Sequence, residues 1–424
     1  WGNITGGHKV GKNVIAVANL NLYDNIAGSS SRGPAHDGRI KPDISAKGTS
    51  VISTLENNEY GPKTGTSMSC PGVSGTLAQL YDAYESLNGS LPDGGLMKAI
   101  VLNTADDLGN TGPDFIHGWG RINARKAYEL MESNNIVNGS INQGGQNSHM
   151  ITVPAEASKV RMMVYWTDPE ASVNAGTALI NDIDIIAVSP SGDTVRPWVL
   201  DPAPNPATLG NPATHGEDHL NNVEQVEIDS PESGNYTVIV DGGSIPMGPQ
   251  SYYLVYWFEE EGFVLTYPVG GESFEPFTTE VIRWDANNDS TNISLEYSTD
   301  GGSGWNSINA SVNPSNGYFA WTVPSSASGI CKIRVTQGPT IIESDEFSIM
   351  PTTENLIVEW ACPDSIGLTW DGAASASSFD IYTLGEKYMD SIGTSNTTSF
   401  VDYVSNPMSD RLWYSASAHG PDNA

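Results

Sequence analysis

Helical periodicity ends at Asn134, and this break constrains the fold more than any other feature of the sequence. Up to about Met131, strand-like and helix-like pieces alternate. NVIAVA, Asn13 to Ala18, has the unbroken apolar character of a buried parallel strand. KPDISA and SVIST read as further strands. Helical patterns follow: Val73, Leu77, Leu80 and Tyr84 on one stripe after Ser67, then LMKAIVLNTA (Leu96 to Ala105), then NARKAYELM with Asn123 placed to cap it. Strands mixed with helices predict an α/β layered fold. Beyond Asn134, KVRMMVYW, LINDIDIIAVS, NYTVIVDG and SYYLVYWF are strand-like runs split by Gly, Pro, Asn and Asp, the pattern of a sandwich or jelly roll. Two more β blocks follow, 262–350 and 351–424, with PTTENL (Pro351 to Leu356) as a linker. The 424 residues are enough for about three or four domains at roughly 100–200 residues each.

Composition removes several functions. Fifty acidic residues against 19 Lys and Arg give a net charge of -31, which repels nucleic acid and anionic membranes. No apolar run approaches the roughly 18 residues of a membrane span. Three cysteines (Cys70, Cys331 and Cys362) cannot build a disulfide framework. Cys70 reads as a small buried helix residue.

The stretch TGTSMSCPGVSGTLAQLYDAY, Thr64 to Tyr84, carries the chemistry. A serine hydroxyl becomes a nucleophile only with a base for its proton and donors for the oxyanion. Gly65 permits a tight turn, and Ser67 falls where a helix begins, near unpaired N–H groups and the positive dipole end. Pro71 is expected in the first turn, and Gly72, Ser74 and Gly75 are expected to pack closely under the sheet. On these residues alone Ser67 reads equally as a helix N-cap.

GTSMSCPGVSG resembles the serine motif of the subtilisin-like serine proteases. NVIAVAN, SSSRGP, DGRIKPDISAKG, LMKAIVLNTADD and GWGRINARKAYEL resemble that family's segments in the same order, over residues 12–131. The resemblance implies the C-terminal part of a subtilisin-like α/β parallel sheet in 1–133. It makes Ser67 the catalytic nucleophile, its N–H an oxyanion donor, and Gly65 and Thr66 supports of the turn. Lys47, Ser69 and Gly72 depart from the family's usual Pro, Ala and His, which bears on specificity more than mechanism. In the family the Asp, His and oxyanion Asn precede the serine. Here His8 and His36 precede it, but in loop-like TGGHKVG and GPAHDGR, and Asn3 lies outside any oxyanion motif. The Asp, His and Asn are therefore expected upstream of Trp1, and the chain alone is expected to be inactive.

The rest resembles modules of large secreted subtilases. Residues 134–261 are similar to a C-terminal jelly-roll or β-barrel domain, 262–350 to an immunoglobulin-like sandwich, and 351–424 to a truncated fibronectin type III domain with Trp370, Ile381 and Tyr414 in its core. The resemblance implies structural Ca²⁺. Asp182 and Asp184 share a strand face, and Asp168 and Asn222, with Asp218, Asn221 and Glu224, could converge on them. The same residues also read as turn and strand-end groups facing water. HGEDH, His215 to His219, lacks the Glu spacing of a zinc helix and reads as a loop. STDGGSGW, Ser298 to Trp305, matches an Asp-box turn with a structural role. The expectation is a secreted or cell-surface endopeptidase acting on proteins or peptides, without organic cofactor, nucleic acid or membrane span. The β modules would bind cell-surface or polysaccharide ligands. The alternative is a non-catalytic adhesion protein on a protease-like scaffold.

Overall fold

The computed structural model describes residues 1–2, 4–56, 59–287, 291–386, 388–404 and 412–423. Asn3 thus lies outside the described residues. The chain divides into two compact units, Trp1–Glu260 and Glu261–Ala424.

In the first unit β1 (Val17–Leu20) and β2 (Ile44–Lys47) pair in parallel, Val17 opposite Ile44. β3 (Val51–Thr54) and β4 (Tyr60–Lys63) form an antiparallel hairpin. The expected helices are present as α1 (Thr66–Asn88), α2 (Gly94–Asn103) and α3 (Ala124–Glu132). Their ends follow local chemistry. α1 stops at Gly89 in the left-handed conformation (φ 73°), whose N–H bonds the Glu85 carbonyl. Asp93 and Asn123 cap α2 and α3 by accepting from Gly95 N and Lys126 N. The ladder of β1 starts later than the apolar run NVIAVA because other groups claim that backbone. The Val14 carbonyl accepts from Lys41 and Lys98, and Ala16 N donates to the Asp43 carboxylate.

The chain then builds β5 (Ile136–Ile141), β6 (Gln146–Val153), β7 (Ala157–Tyr165), β8 (Asp182–Val188), β9 (Thr194–Val195), β10 (Trp198–Val199), the short α4 (Pro206–Leu209), β11 (Thr214–His215), β12 (Val223–Asp229), β13 (Gly234–Ser244) and β14 (Gln250–Glu260). Two four-stranded antiparallel sheets result, in the orders β12-β7-β14-β5 and β6-β13-β8-β9. Val160, Met162, Val164, Ile183, Ile185 and Val238 belong to the core between them. The outer side of β7 is covered as well: Met163 and Tyr165 join the core of α2, α3 and β2. Burial on both faces explains why KVRMMVYW reads as a continuous apolar run. No break in packing falls at residue 133.

In the second unit, strands Gly262–Tyr267, Thr279–Asn287 and Tyr318–Thr322 form one sheet, and a larger sheet includes Ile293–Ser298 and Ser328–Gln337. Ile282, Trp284, Leu295, Cys331 and Phe347 are in their core. Two three-stranded sheets follow from Glu354 onward. Trp370 and Ile381 are buried in their core, and Tyr414 packs against it half-buried. The Asp-box is a turn: Asp300 Oδ1 accepts from Ser298 Oγ at 2.7 Å and Gly304 N at 2.8 Å, and Trp305 lies under the Arg334 guanidinium at 4.2 Å. Among the described residues no helix is long and apolar enough to cross a membrane.

Candidate active site

Ser67 is the second residue of α1, and it is exposed. The cap position belongs to Gly65, so Ser67 does not cap the helix. A backbone N–H in the first turn has no acceptor within the helix, and the positive dipole end favours negative charge there. The turn is held from below. Gly65 N donates to the Gly48 carbonyl at 2.9 Å. A Cβ on Gly48 would stand 2.0 Å from Ser69 Oγ and 2.6 Å from the Gly65 oxygen, so only glycine allows this approach. Asn19, buried on β1, accepts from Thr49 Oγ1 at 3.2 Å and Ser69 Oγ at 3.5 Å, and its Nδ2 has no partner. Thr66 opens the helix on its exposed side.

Two expectations about α1 need correction. Pro71 lies inside the helix, beyond the first turn, because the helix begins at Thr66. Its ring removes the N–H that would bond the carbonyl four residues back, and that carbonyl is Ser67's own. Cys70, Pro71, Gly72, Ser74 and Gly75 are exposed, not packed under a sheet. A Cβ on Gly72 or Gly75 would meet nothing within 4 Å. No described segment covers this side of α1.

Among the described residues no hydrogen bond joins Ser67 to a histidine. His117 pairs with Asp114 at 3.2 Å, His149 with Tyr252 at 2.8 Å, His219 with Asp182 at 2.8 Å, and His419 with Asp380 at 2.9 Å. His215 stacks on Trp198, ring centroids 3.9 Å apart. His8 and His36 are exposed, on a short 3-10 turn and in a loop.

Of the acidic residues expected near calcium, Asp182, Asp184, Asp218 and Glu224 lie near enough for their charges to act on one another, and Asp182 Oδ1 and Glu224 Oε1 are buried without a hydrogen-bond partner. Asp168 is buried and bonded to Lys12, Ile180 N and Asn181 N. Asn222 Nδ2 donates to Asn13 Oδ1 and the Trp166 carbonyl. Asp182 pairs with His219. Burial, then the neighbouring Asp182 charge, raises Asp184 to about 6. Glu224 is fully buried, and burial with the Asp218 charge holds its carboxyl well above the usual range. Among the described residues no three His, Cys, Asp or Glu side chains group closely enough to hold a metal.

The sequence reading missed a buried polar layer between the helices and the outer side of β7 and β12. Arg161 donates to Glu227 at 2.6 Å and to the Ala105 carbonyl at 2.8 Å. Lys126 bridges Asp106 at 3.0 Å and Glu259 at 3.2 Å, and Gln225 donates to Asn103 at 2.9 Å. The polar letters of VEQVEID suggest a water-facing strand. The one available signal was charge complementarity between that run and KVRMMVYW.

Residues 3–120 match the subtilase family. The matching model is described as Peptidase_S8, Subtilase family. The chain is 26% identical over 324 residues to the serine protease/ABC transporter B family protein tagB of Dictyostelium discoideum, covering 57% of this chain and 16% of that protein. It is 36% identical over 124 residues to the minor extracellular protease Vpr of Bacillus subtilis (strain 168), covering 26% and 15%. It is 47% identical over 57 residues to the C5a peptidase of Streptococcus pyogenes, covering 13% and 5%. The chain therefore spans less than a fifth of the length of these relatives. Within the subtilase segment lie Ser67, Gly48 and Gly65.

Proposed function

We propose that this chain carries the nucleophile portion of a secreted serine endopeptidase. Ser67 attacks a peptide carbonyl of a protein substrate, and its own N–H helps to hold the oxyanion. An imidazole supported by a carboxylate takes the hydroxyl proton and returns it to the leaving amine, and water then releases the acyl group. We assign that His, its Asp and the oxyanion Asn to polypeptide outside residues 1–424. The exposed hydroxyl at the first turn of α1, gripped from below by Gly48, is the observation that carries the reading.

Three further features support it. A Gly inside a helix costs up to about 1 kcal/mol relative to Ala, yet α1 places Gly72 and Gly75 on an open face. Such residues suit a helix against which another backbone comes close. A two-stranded parallel sheet such as β1–β2 is unusual, because parallel sheets are covered on both faces. And Asn19 Nδ2 is a buried donor awaiting an acceptor beside α1.

The test uses a fluorophosphonate probe and casein. The 424-residue chain should neither label nor cleave. A longer protein that includes the N-terminal neighbouring sequence should do both, and Ser67→Ala should remove both, with kcat falling on the order of 10⁶-fold, a figure measured on subtilisin itself. Labelling of the 424-residue chain at the rate of the longer one would refute the shared-site reading. Cleavage by the Ser67→Ala protein would refute the nucleophile.

A further inference from the structure

The calcium expected at Asp168 meets a site that is already filled. Lys12, in the loop ahead of β1, is buried with its amino group directed into the loop that follows β7. Its Nζ donates to Asp168 Oδ2, to the Pro169 carbonyl at 2.6 Å and to the Ala178 carbonyl. An ammonium has three protons and no lone pair, and here it meets three oxygens. The carboxylate is organised for this: its oxygens also accept from Ile180 N at 2.9 Å and Asn181 N at 2.8 Å. Asn13 closes the joint, giving its Nδ2 to the Asp168 carbonyl at 3.0 Å and accepting Asp168 N at 3.2 Å.

One carboxylate and two carbonyls are the kind of donor set that hard cations take from a protein loop. We propose that residues 168–181 form a cation cage whose cation is the tethered ammonium of Lys12, standing where a bound metal ion would otherwise be needed. The cage has a positioning role for the subtilase segment. The Lys12 and Val14 carbonyls each accept from Lys98 Nζ at 2.8 Å, and Lys98 also bonds Asp43 Oδ1 at 2.9 Å. Asp43 immediately precedes β2, and Gly48, directly after β2, grips the turn of Ser67. The cage thus ties the loop after β7 to the strand that sets the nucleophile. Because the charge is covalently attached, this joint does not depend on the metal content of the surroundings.

The experiment compares the parent 424-residue chain with Lys12→Ala and Lys12→Met, melted with and without methylammonium chloride, sodium chloride serving as the ionic-strength control. Lys12→Ala should melt on the order of 10 °C lower, because it leaves Asp168 buried without its cation. Methylammonium should restore a substantial part of that loss in Lys12→Ala. It should restore nothing in Lys12→Met, whose side chain takes the place of the lysine stem, and should leave the parent unchanged. An independent reading uses the parent alone: under native conditions Lys12 should resist acetic anhydride while the exposed Lys47 and Lys63 are acylated. The proposal is overturned if Lys12→Ala melts with the parent, if methylammonium lifts it no more than it lifts Lys12→Met, or if Lys12 is acylated as fast as Lys47. Should Lys12→Ala fail to fold, the acylation result decides.

Discussion

The two halves of the first unit solve the same problem to different degrees. The β-sandwich half has two four-stranded sheets around one core, and its outer sheet is covered by helices. The Ser67 half has one parallel pair of strands, a hairpin, and the helices α1, α2 and α3, and of α1 only Ser69, Val73 and Leu80 are buried. The first half is held by closure of its own sheets. The second is held by a core of its own strands and helices, which Met163 and Tyr165 of β7, Val223 of β12 and Val255 of β14 complete. The contrast teaches that the Ser67 turn stands on a core that is completed from the neighbouring sheet. Its stability draws on the polar joint, while the proposed activity would draw on a surface that the described residues leave open.

The largest effect tests the joint. Arg161 is buried between Glu227 and Glu259 and also bonds the Ala105 carbonyl at the end of α2. Burial opposes the charge on Glu227 and Glu259, and Arg161 first, then the nearby lysines, holds both carboxyls below their usual range. Arg161→Ala would leave buried carboxylates short of a counter-charge, at a cost of about 3–5 kcal/mol. Urea titration of the 424-residue chain should show the unfolding free energy of the first unit falling by that amount. A loss under about 1 kcal/mol would mean that the two halves stand independently, and the contrast drawn here would fail.

A smaller, pH-dependent effect comes from the same joint. Burial raises the Asp107 carboxyl from 3.8 to about 7, although Oδ2 accepts from Gly112 N at 3.0 Å. The folded state binds this proton more tightly than the unfolded one. The stabilisation is therefore complete below pH 3.8 and is lost as pH rises through about 7. Asparagine cannot ionise. Asp107→Asn should match the parent at pH 4 and exceed it by up to a few kcal/mol at pH 8, since the half-buried site reduces the full linkage value. Melting curves across that range would show the two lines separating upward. Parallel lines would mean that Asp107 is hydrated like a surface carboxylate.

Legibility in the sequence follows the same division. Where burial is apolar, the letters carried the answer: the stripe of α1, the apolar run of α2, the Asn123 cap of α3 and the alternation of NDIDII are all found as elements. Where burial is polar, they misled. Lys12, Arg161, Gln225 and Glu227 are letters that usually face water, and each is buried because a distant segment supplies its partner. Strand β4 carries no apolar pattern, and its Pro62 is tolerated because the strand belongs to a two-stranded hairpin. Ser67 was legible as a local motif. The open face beside it was not, because small residues signal close packing without saying whether the partner lies within the chain.

The smallest effect tests that face directly, and its sign matters more than its size. In a helix already packed against a neighbour, a methyl group added at Gly75 would clash and destabilise. In the 424-residue chain the same methyl would project into open space and would lower the entropy of the unfolded chain. Gly75→Ala should therefore stabilise this chain by about 0.5–1 kcal/mol, read from the same urea midpoint. The same substitution in a longer, active protein should lower its activity, because the backbone expected to approach α1 would meet a Cβ next to the nucleophile turn. Opposite signs in the two proteins would locate the missing half of the site on this side of the helix. Stabilisation in both would place that half elsewhere and leave Gly75 without a packing role.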